Sequence, residues 1–202
     1  MSITGRIFAA IYDRSLAATE DAGLRDERRK VVGRARGRVL EIGAGTGLNL
    51  DHYGPEVTEL MLTEPEEPMA RRLRERVTKG EVVIAGAEQL PFPDASFDTV
   101  VSTLVLCTVP DQARAIAEIR RVLKPDGRLL FLEHVRSHDE KLAKWQDRLL
   151  RPWRFVGHGC HPNRDTAAAL QRGGFALELE TWRLPKAPKI VRPAIEGTAT
   201  PA

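Results

Sequence analysis

Cysteine is scarce in this chain of 202 residues: Cys107 and Cys160 are its only two. Two thiols so far apart in sequence make neither a metal-spaced pair nor the framework of a disulfide-stapled secreted domain. No metal ligand set is therefore expected, and both thiols read as reduced groups in a reducing compartment. Long apolar runs are missing too. None approaches the ~20 residues that a spanning helix needs, and the N-terminus lacks a basic region followed by an apolar signal core. A cytoplasmic location without a spanning segment is expected. Nor does one sign of charge dominate. The chain has 31 basic and 28 acidic residues, a formal net charge of +3 with the signs mixed along most of its length, so a nucleic-acid partner is not expected. At 42% hydrophobic and 29% charged, it has the apolar material for a single globular core.

The chain alternates strand and helix patterns. Residues 1–36 read as a helical cap, with Ile7, Phe8, Ile11 and Tyr12 on one apolar face. The following charged run of Arg25, Arg28, Arg29 and Lys30 reads as a solvated helix face, with contact to a membrane surface as the alternative. Strands are predicted at 57–63, 82–85, 97–106 and 128–135, with helices at 66–79 and 112–123 between them. Pro125-Asp126-Gly127 reads as a turn before the 128–135 strand. Continuous apolar strands alternating with helices imply a parallel α/β sheet covered on both faces, with ligands at the strands' carboxyl ends. Residues 175–184 and 190–200 read as two further strands. Their connection is too short for a helical crossover, so they should form an antiparallel pair. Residues 1–202 are expected to form one domain: a helical cap to 36, a core at 37–136 that the motifs below make cofactor-binding, helices and a lid at 137–173 that the resemblance below makes a substrate lid, and terminal strands at 174–202.

The most informative stretch is Val39-Leu-Glu41-Ile-Gly43-Ala44-Gly45-Thr-Gly47. An apolar strand meets an acid and then three glycines, which let the backbone turn sharply and bring N–H groups against a ligand. The dinucleotide fingerprint is G-x-G-x-x-G, whereas this chain has E-x-G-x-G-x-G. Both a sulfonium-cofactor methyltransferase and a nucleotide oxidoreductase can claim such a turn. Glu64, at the predicted end of the next strand, can accept hydrogen bonds from two ribose hydroxyls in either class; alternatively it is a helix N-terminal acid beside Pro65.

The glycine motif resembles motif I of the class I S-adenosylmethionine-dependent methyltransferases. The stretches Gly86-Ala87-Glu88-Gln89-Leu90-Pro91-Phe92 and Asp94-Ala-Ser96-Phe97-Asp98 resemble that family's adenine-lining segment and its entry into the fourth strand. Glu118 to Gly127 resembles its helix and turn before the fifth. Within the family the chain is similar to the quinone and phospholipid methyltransferase branch, and more so to membrane-associated thiol methyltransferases. The phrase T-L-V-L-C ending at Cys107, Glu133-His134-Val135, Gly159-Cys160-His161 with Arg164, and Val191-Arg192-Pro193 carry that likeness. The resemblance implies a Rossmann-like seven-stranded, mostly parallel sheet with the last strand antiparallel and helices on both faces, and S-adenosylmethionine as cofactor. It implies cofactor contacts at Glu41, Gly43, Ala44, Gly45, Gly47, Asn49, Glu64, Pro65, Ala87, Glu88, Thr103 and Leu104. The family often has Asp where Gly86 stands here, so adenine recognition is absent at that position or shifted to Glu88. No stretch matches the long hydrophobic N-terminal anchor of the membrane-associated thiol methyltransferases of animals, so transient rather than permanent membrane contact is expected.

Methyl transfer is an in-line displacement that depends mainly on alignment and exclusion of water. An acceptor that must shed a proton benefits from a base of pKa near 7, and histidine is the natural choice. His134, at a strand's carboxyl end, and His161 are the candidates, each with a plain structural role as the alternative. Residues 151–161 read as a lid loop between helices, Trp153 and Phe155 giving it an apolar wall. Cys107 and Cys160 read as buried or lid thiols without chemistry. The expected acceptor is a small apolar or amphipathic molecule, a thiol before a phenol, quinol or phospholipid amine. A nucleotide-dependent oxidoreductase and a catalytically silent cofactor-binding protein are the other classes.

Overall fold

The computed structural model describes residues 13, 14 and 16–202. The apolar face expected at Ile7, Phe8, Ile11 and Tyr12 lies outside them. Seven strands form one sheet in the order β3-β2-β1-β4-β5-β7-β6. They are β1 (Gly37–Ile42), β2 (Val57–Thr63), β3 (Glu81–Val83), β4 (Phe97–Thr103), β5 (Leu123–His134), β6 (Phe175–Arg183) and β7 (Pro193–Pro201). The first five run parallel, and β7 enters antiparallel between β5 and β6. This is the Rossmann-like arrangement expected, with the terminal pair in place.

Alternating side chains feed two cores, one on each face of the sheet. Leu40, Ile42, Leu129 and Phe131 face the helices α3 (Gln112–Val122) and α6 (Thr166–Arg172), meeting Ile116, Ile119, Val122 and Leu170. Val39, Leu130 and Leu132 point the other way, onto Val31 and Val32 of α1 (Arg25–Val32) and Leu73 of α2 (Glu67–Arg76). Ile119 and Val122 are wholly buried, which contributes about 1.5–3 kcal/mol for each such side chain. At the carboxyl edge of the sheet, α3, α4 (Glu140–Arg148) and α6 each start on an aspartate. Asp111, Asp139 and Asp165 accept from the backbone N–H of Arg114, Leu142 and Ala168; such caps contribute ~1 kcal/mol apiece.

Four expectations are corrected. The helical cap is kinked before α1, because Gly23 takes φ +134 within the wide turn Glu20–Leu24. The strand predicted from 128 begins at Leu123: the register jumps from Phe97 opposite Leu123 to Thr99 opposite Arg128, so the predicted Pro125-Asp126-Gly127 turn bulges out within β5. The lid is not wholly a loop, since Leu150–Val156 forms helix α5, with Trp153 turned toward Cys160 and Phe155 91% exposed. Finally, the charged run is not uniformly solvated. Arg25, Arg29 and Lys30 are exposed as expected, but Arg28 is 3% exposed and points into the sheet.

Candidate cofactor and acceptor site

The glycine loop leaves the carboxyl end of β1 as the motif predicts. Gly43 and Gly47 adopt φ +56 and +86, where side chains are strained. A Cβ on Gly43 would lie 2.8 Å from Val105, and one on Gly47 2.6 Å from Leu50, so the loop closes tightly on its neighbours. Glu64, just past the end of β2, reaches across to this loop. Its Oε2 accepts from the N–H of Gly45 at 2.9 Å and its Oε1 from the N–H of Glu66 at 2.9 Å. Two backbone donors thus set the orientation of a carboxylate whose pKa burial raises. Pro65 beside it is exposed.

Glu41 lies beneath the loop, 2% exposed. The Tyr53 hydroxyl donates to it at 2.5 Å and Asn49 Nδ2 at 2.8 Å. Burial pushes its pKa up to about 7, opposed by those two donors and by the charge of Arg28. Asn49 Nδ2 also donates to Thr103 Oγ1 at 2.8 Å. Arg28 completes the cluster: it donates to Glu20, to Asn49 Oδ1 at 3.1 Å and to Thr103 Oγ1 at 2.9 Å. Together with the loop these groups enclose a cavity of only about 20 Å³. Arg28 joins this cluster unannounced by the sequence, because its neighbours Arg25, Arg29 and Lys30 in the charged run are indeed exposed.

The remaining predicted contacts lie along the same edge. Leu104 takes φ +60 at the end of β4, a strained conformation for a non-glycine residue. Ala87 is buried, and Glu88 accepts from the N–H of Asp111 at 3.3 Å. Val105, against Gly43, is held by Glu133: this wholly buried carboxylate accepts from Ser102 Oγ at 2.8 Å and from the N–H groups of Val105, Leu106 and Cys107. Glu133 therefore shapes the passage from β4 to α3, a task that only the folded chain reveals.

His134 is buried at 7% exposure, with Nε2 3.0 Å from Cys160 Sγ, and burial lowers its pKa to about 4. His161 is half-buried. Its backbone N–H donates to the Cys107 carbonyl, and its pKa is lowered by burial and by Arg164 and Arg154. Neither imidazole lines the large cavity of about 870 Å³ at this edge. That cavity lies where β5 and β6 end and β7 begins, between Leu142, Trp145, Trp182 and Ile195, with Arg183 and Lys189 among its cations. Its outer wall is fastened by Gln146, whose Nε2 donates to the carbonyls of Val135, Pro162 and Ile190.

Residues 40–131 match the family described as "Methyltransferase domain". The chain is 30% identical over 201 residues to human thiol S-methyltransferase TMT1A, a match covering 95% of this chain and 82% of the relative. It is 34% identical over 148 residues to the phosphatidylethanolamine N-methyltransferase of Cereibacter sphaeroides, covering 70% of this chain and 72% of that one. A solved S-adenosylmethionine-dependent methyltransferase of Thermotoga maritima superposes with a TM-score of 0.74 at 23% identity, over 98% of this chain and 97% of that one. The fold and these relatives define a class I S-adenosylmethionine-dependent methyltransferase, and the chain belongs to that family. Its cofactor is S-adenosylmethionine. The residues present suit it: a loop whose glycines admit close backbone approach, and two acids, Glu41 and Glu64, at the ends of adjacent strands. Among the described residues no helix is long and apolar enough to cross a membrane.

Proposed function

We propose that this enzyme methylates the sulfur of a small apolar or amphipathic thiol. The likeness to a thiol S-methyltransferase along 95% of the chain is the observation that carries this reading. The large cavity supports it, since Leu142, Trp145 and Trp182 supply apolar wall while Arg183 and Lys189 suit an acceptor with a polar or anionic end.

In this reading Glu64 accepts the ribose hydroxyls, Glu41 faces the cofactor's ammonium group, and the loop from Gly43 to Gly47 lines the methionine part. Asn49, Thr103 and Leu104 border the same site, with Pro65, Ala87 and Glu88 toward the adenine. The small cavity of about 20 Å³ beside Arg28 and Glu41 is only the inner end of this site, since Glu64, Ala87, Glu88 and Leu104 lie outside its lining. Once bound, the cofactor supplies a methyl group already activated on a sulfonium. The chain's own task is to align the acceptor, exclude water and take the thiol proton. His161, whose pKa is lowered by burial and by two nearby arginines, is the candidate for that last step, and it reaches the acceptor only when the lid that carries it moves, since it does not line the large cavity. His134 is sealed against Cys160 and is left to another task.

The test is transfer of labelled methyl from S-adenosylmethionine to a mixed panel of thiols, phenols, quinols and phospholipids. Label on the thiols supports the proposal, and label confined to phospholipid amines overturns it in favour of N-methylation, the activity named for the Cereibacter sphaeroides relative.

A further inference from the structure

Cys107, His134 and Cys160 stand far apart in the sequence and on three different segments. Cys107 follows β4, His134 ends β5, and Cys160 follows α5. Folding brings one donor atom from each to within 4.8 Å of the others, all three residues buried at 1%, 7% and 6% exposure. We propose that these three residues form a binding site for a single zinc ion. The site is independent of the acceptor assignment above.

Two thiolates and an imidazole are the donor set that zinc prefers, and with bonds of ~2.3 Å to sulfur and ~2.0 Å to nitrogen they would stand roughly 3.5–4 Å apart around it. No separation here exceeds 4.8 Å. Cys160 Sγ lies 3.0 Å from His134 Nε2, so the pair has only to spread by about half an ångström. The surroundings favour an ion over free thiols. Leu184, Ala187, Val191 and Ala194 wall the cluster in an apolar pocket, and Trp153 Nε1 donates to Cys160 Sγ at 3.1 Å, a bond suited to a thiolate. Binding releases two thiol protons, and a divalent ion with two thiolates is neutral, so no uncompensated charge is left in that pocket. Three protein ligands leave one coordination position for a small exogenous donor. The ion would also pin the lid to the sheet, joining Cys160 to the ends of β4 and β5.

The test is cobalt titration of the whole chelator-stripped protein, kept reduced with a phosphine. Cobalt is a spectroscopic stand-in for zinc. The expected result is a thiolate-to-cobalt charge-transfer band with the visible bands of tetrahedral cobalt, saturating at one equivalent and bleached by zinc. Cys107→Ala and Cys160→Ala abolish the charge-transfer band, and His134→Gln weakens binding at least about tenfold. Because Cys107→Ala could also disturb packing, circular dichroism accompanies each variant, and the unaltered protein is itself decisive. A natively folded chain that shows no charge-transfer band refutes the site. So does a band that persists when both cysteines are replaced. Neither readout depends on methyl transfer.

Discussion

Arg28 Nη1 donates to Thr103 Oγ1 at 2.9 Å, joining the first described helical segment to the end of the fourth strand across the cofactor loop. The same guanidinium holds Glu20 at 2.9 Å, with both side chains almost wholly buried. Removing one member of a buried ion pair leaves the other's charge uncompensated, at a cost of about 3–5 kcal/mol. Arg28→Met is therefore expected to lower the unfolding free energy by that amount in urea titration. Adding Glu20→Gln should restore much of the loss. Equal instability of the single and double variants would show that packing, not charge pairing, sets the effect.

Glu64 has both carboxylate oxygens fixed by backbone N–H groups at the rim of the loop. Glu64→Ala is expected to weaken S-adenosylmethionine binding at least about tenfold by calorimetry, corresponding to ~1.4 kcal/mol or more. The relative preference among acceptors should hold. Unchanged cofactor affinity would remove Glu64 from the site.

The burial-raised pKa of Glu41, about 7, makes two pH dependences opposite in sign. A carboxyl group whose folded pKa exceeds its unfolded value stabilises the fold below the unfolded value. That contribution is lost as pH rises through the folded one, here between about 4.5 and 7. Cofactor binding should move the other way, tightening as the carboxylate forms opposite the ammonium group. Both slopes, read by thermal unfolding and by calorimetry from pH 5 to 8, should flatten in Glu41→Gln.

Trp145 lies on the outer side of α4, 54% exposed, and lines the large cavity, while Ala143 and Gln146 face the core. Trp145→Ala is expected to raise the acceptor KM roughly tenfold. Stability should change by no more than about 0.5 kcal/mol, and the cofactor Kd should stay the same. A parallel rise in cofactor Kd would mean that the helix had shifted.

Much of the fold was legible because its determinants are local. Alternation of apolar side chains set the strands, a glycine after each step of Gly43-Ala44-Gly45-Thr46-Gly47 set the loop, and the short connection between 184 and 190 required the antiparallel pair. The place of Glu64 beside the loop was legible for the same reason: it follows the end of β2, which pairs with the strand that leads into the loop. Arg28 was not, because its partners Asn49 and Thr103 lie 21 and 75 residues along the chain, and its neighbours in the charged run do face water. The lid helix was missed because Pro152 and the surrounding bulky and basic residues carry no apolar periodicity, while Pro is tolerated in the first turn of Leu150–Val156.

The sequence by itself determined the class of this protein, since period, turn chemistry and the order of motifs are properties of neighbouring residues. Only the tertiary structure decided how distant side chains share one space. It closed Arg28 over the cofactor loop, placed Glu133 under four donors, and gathered Cys107, His134 and Cys160 from three segments. Local pattern specifies which face of each strand is buried. Which buried groups then meet depends on how the sheet stacks its strands, and β5, with β4 on one side and antiparallel β7 on the other, makes that meeting place.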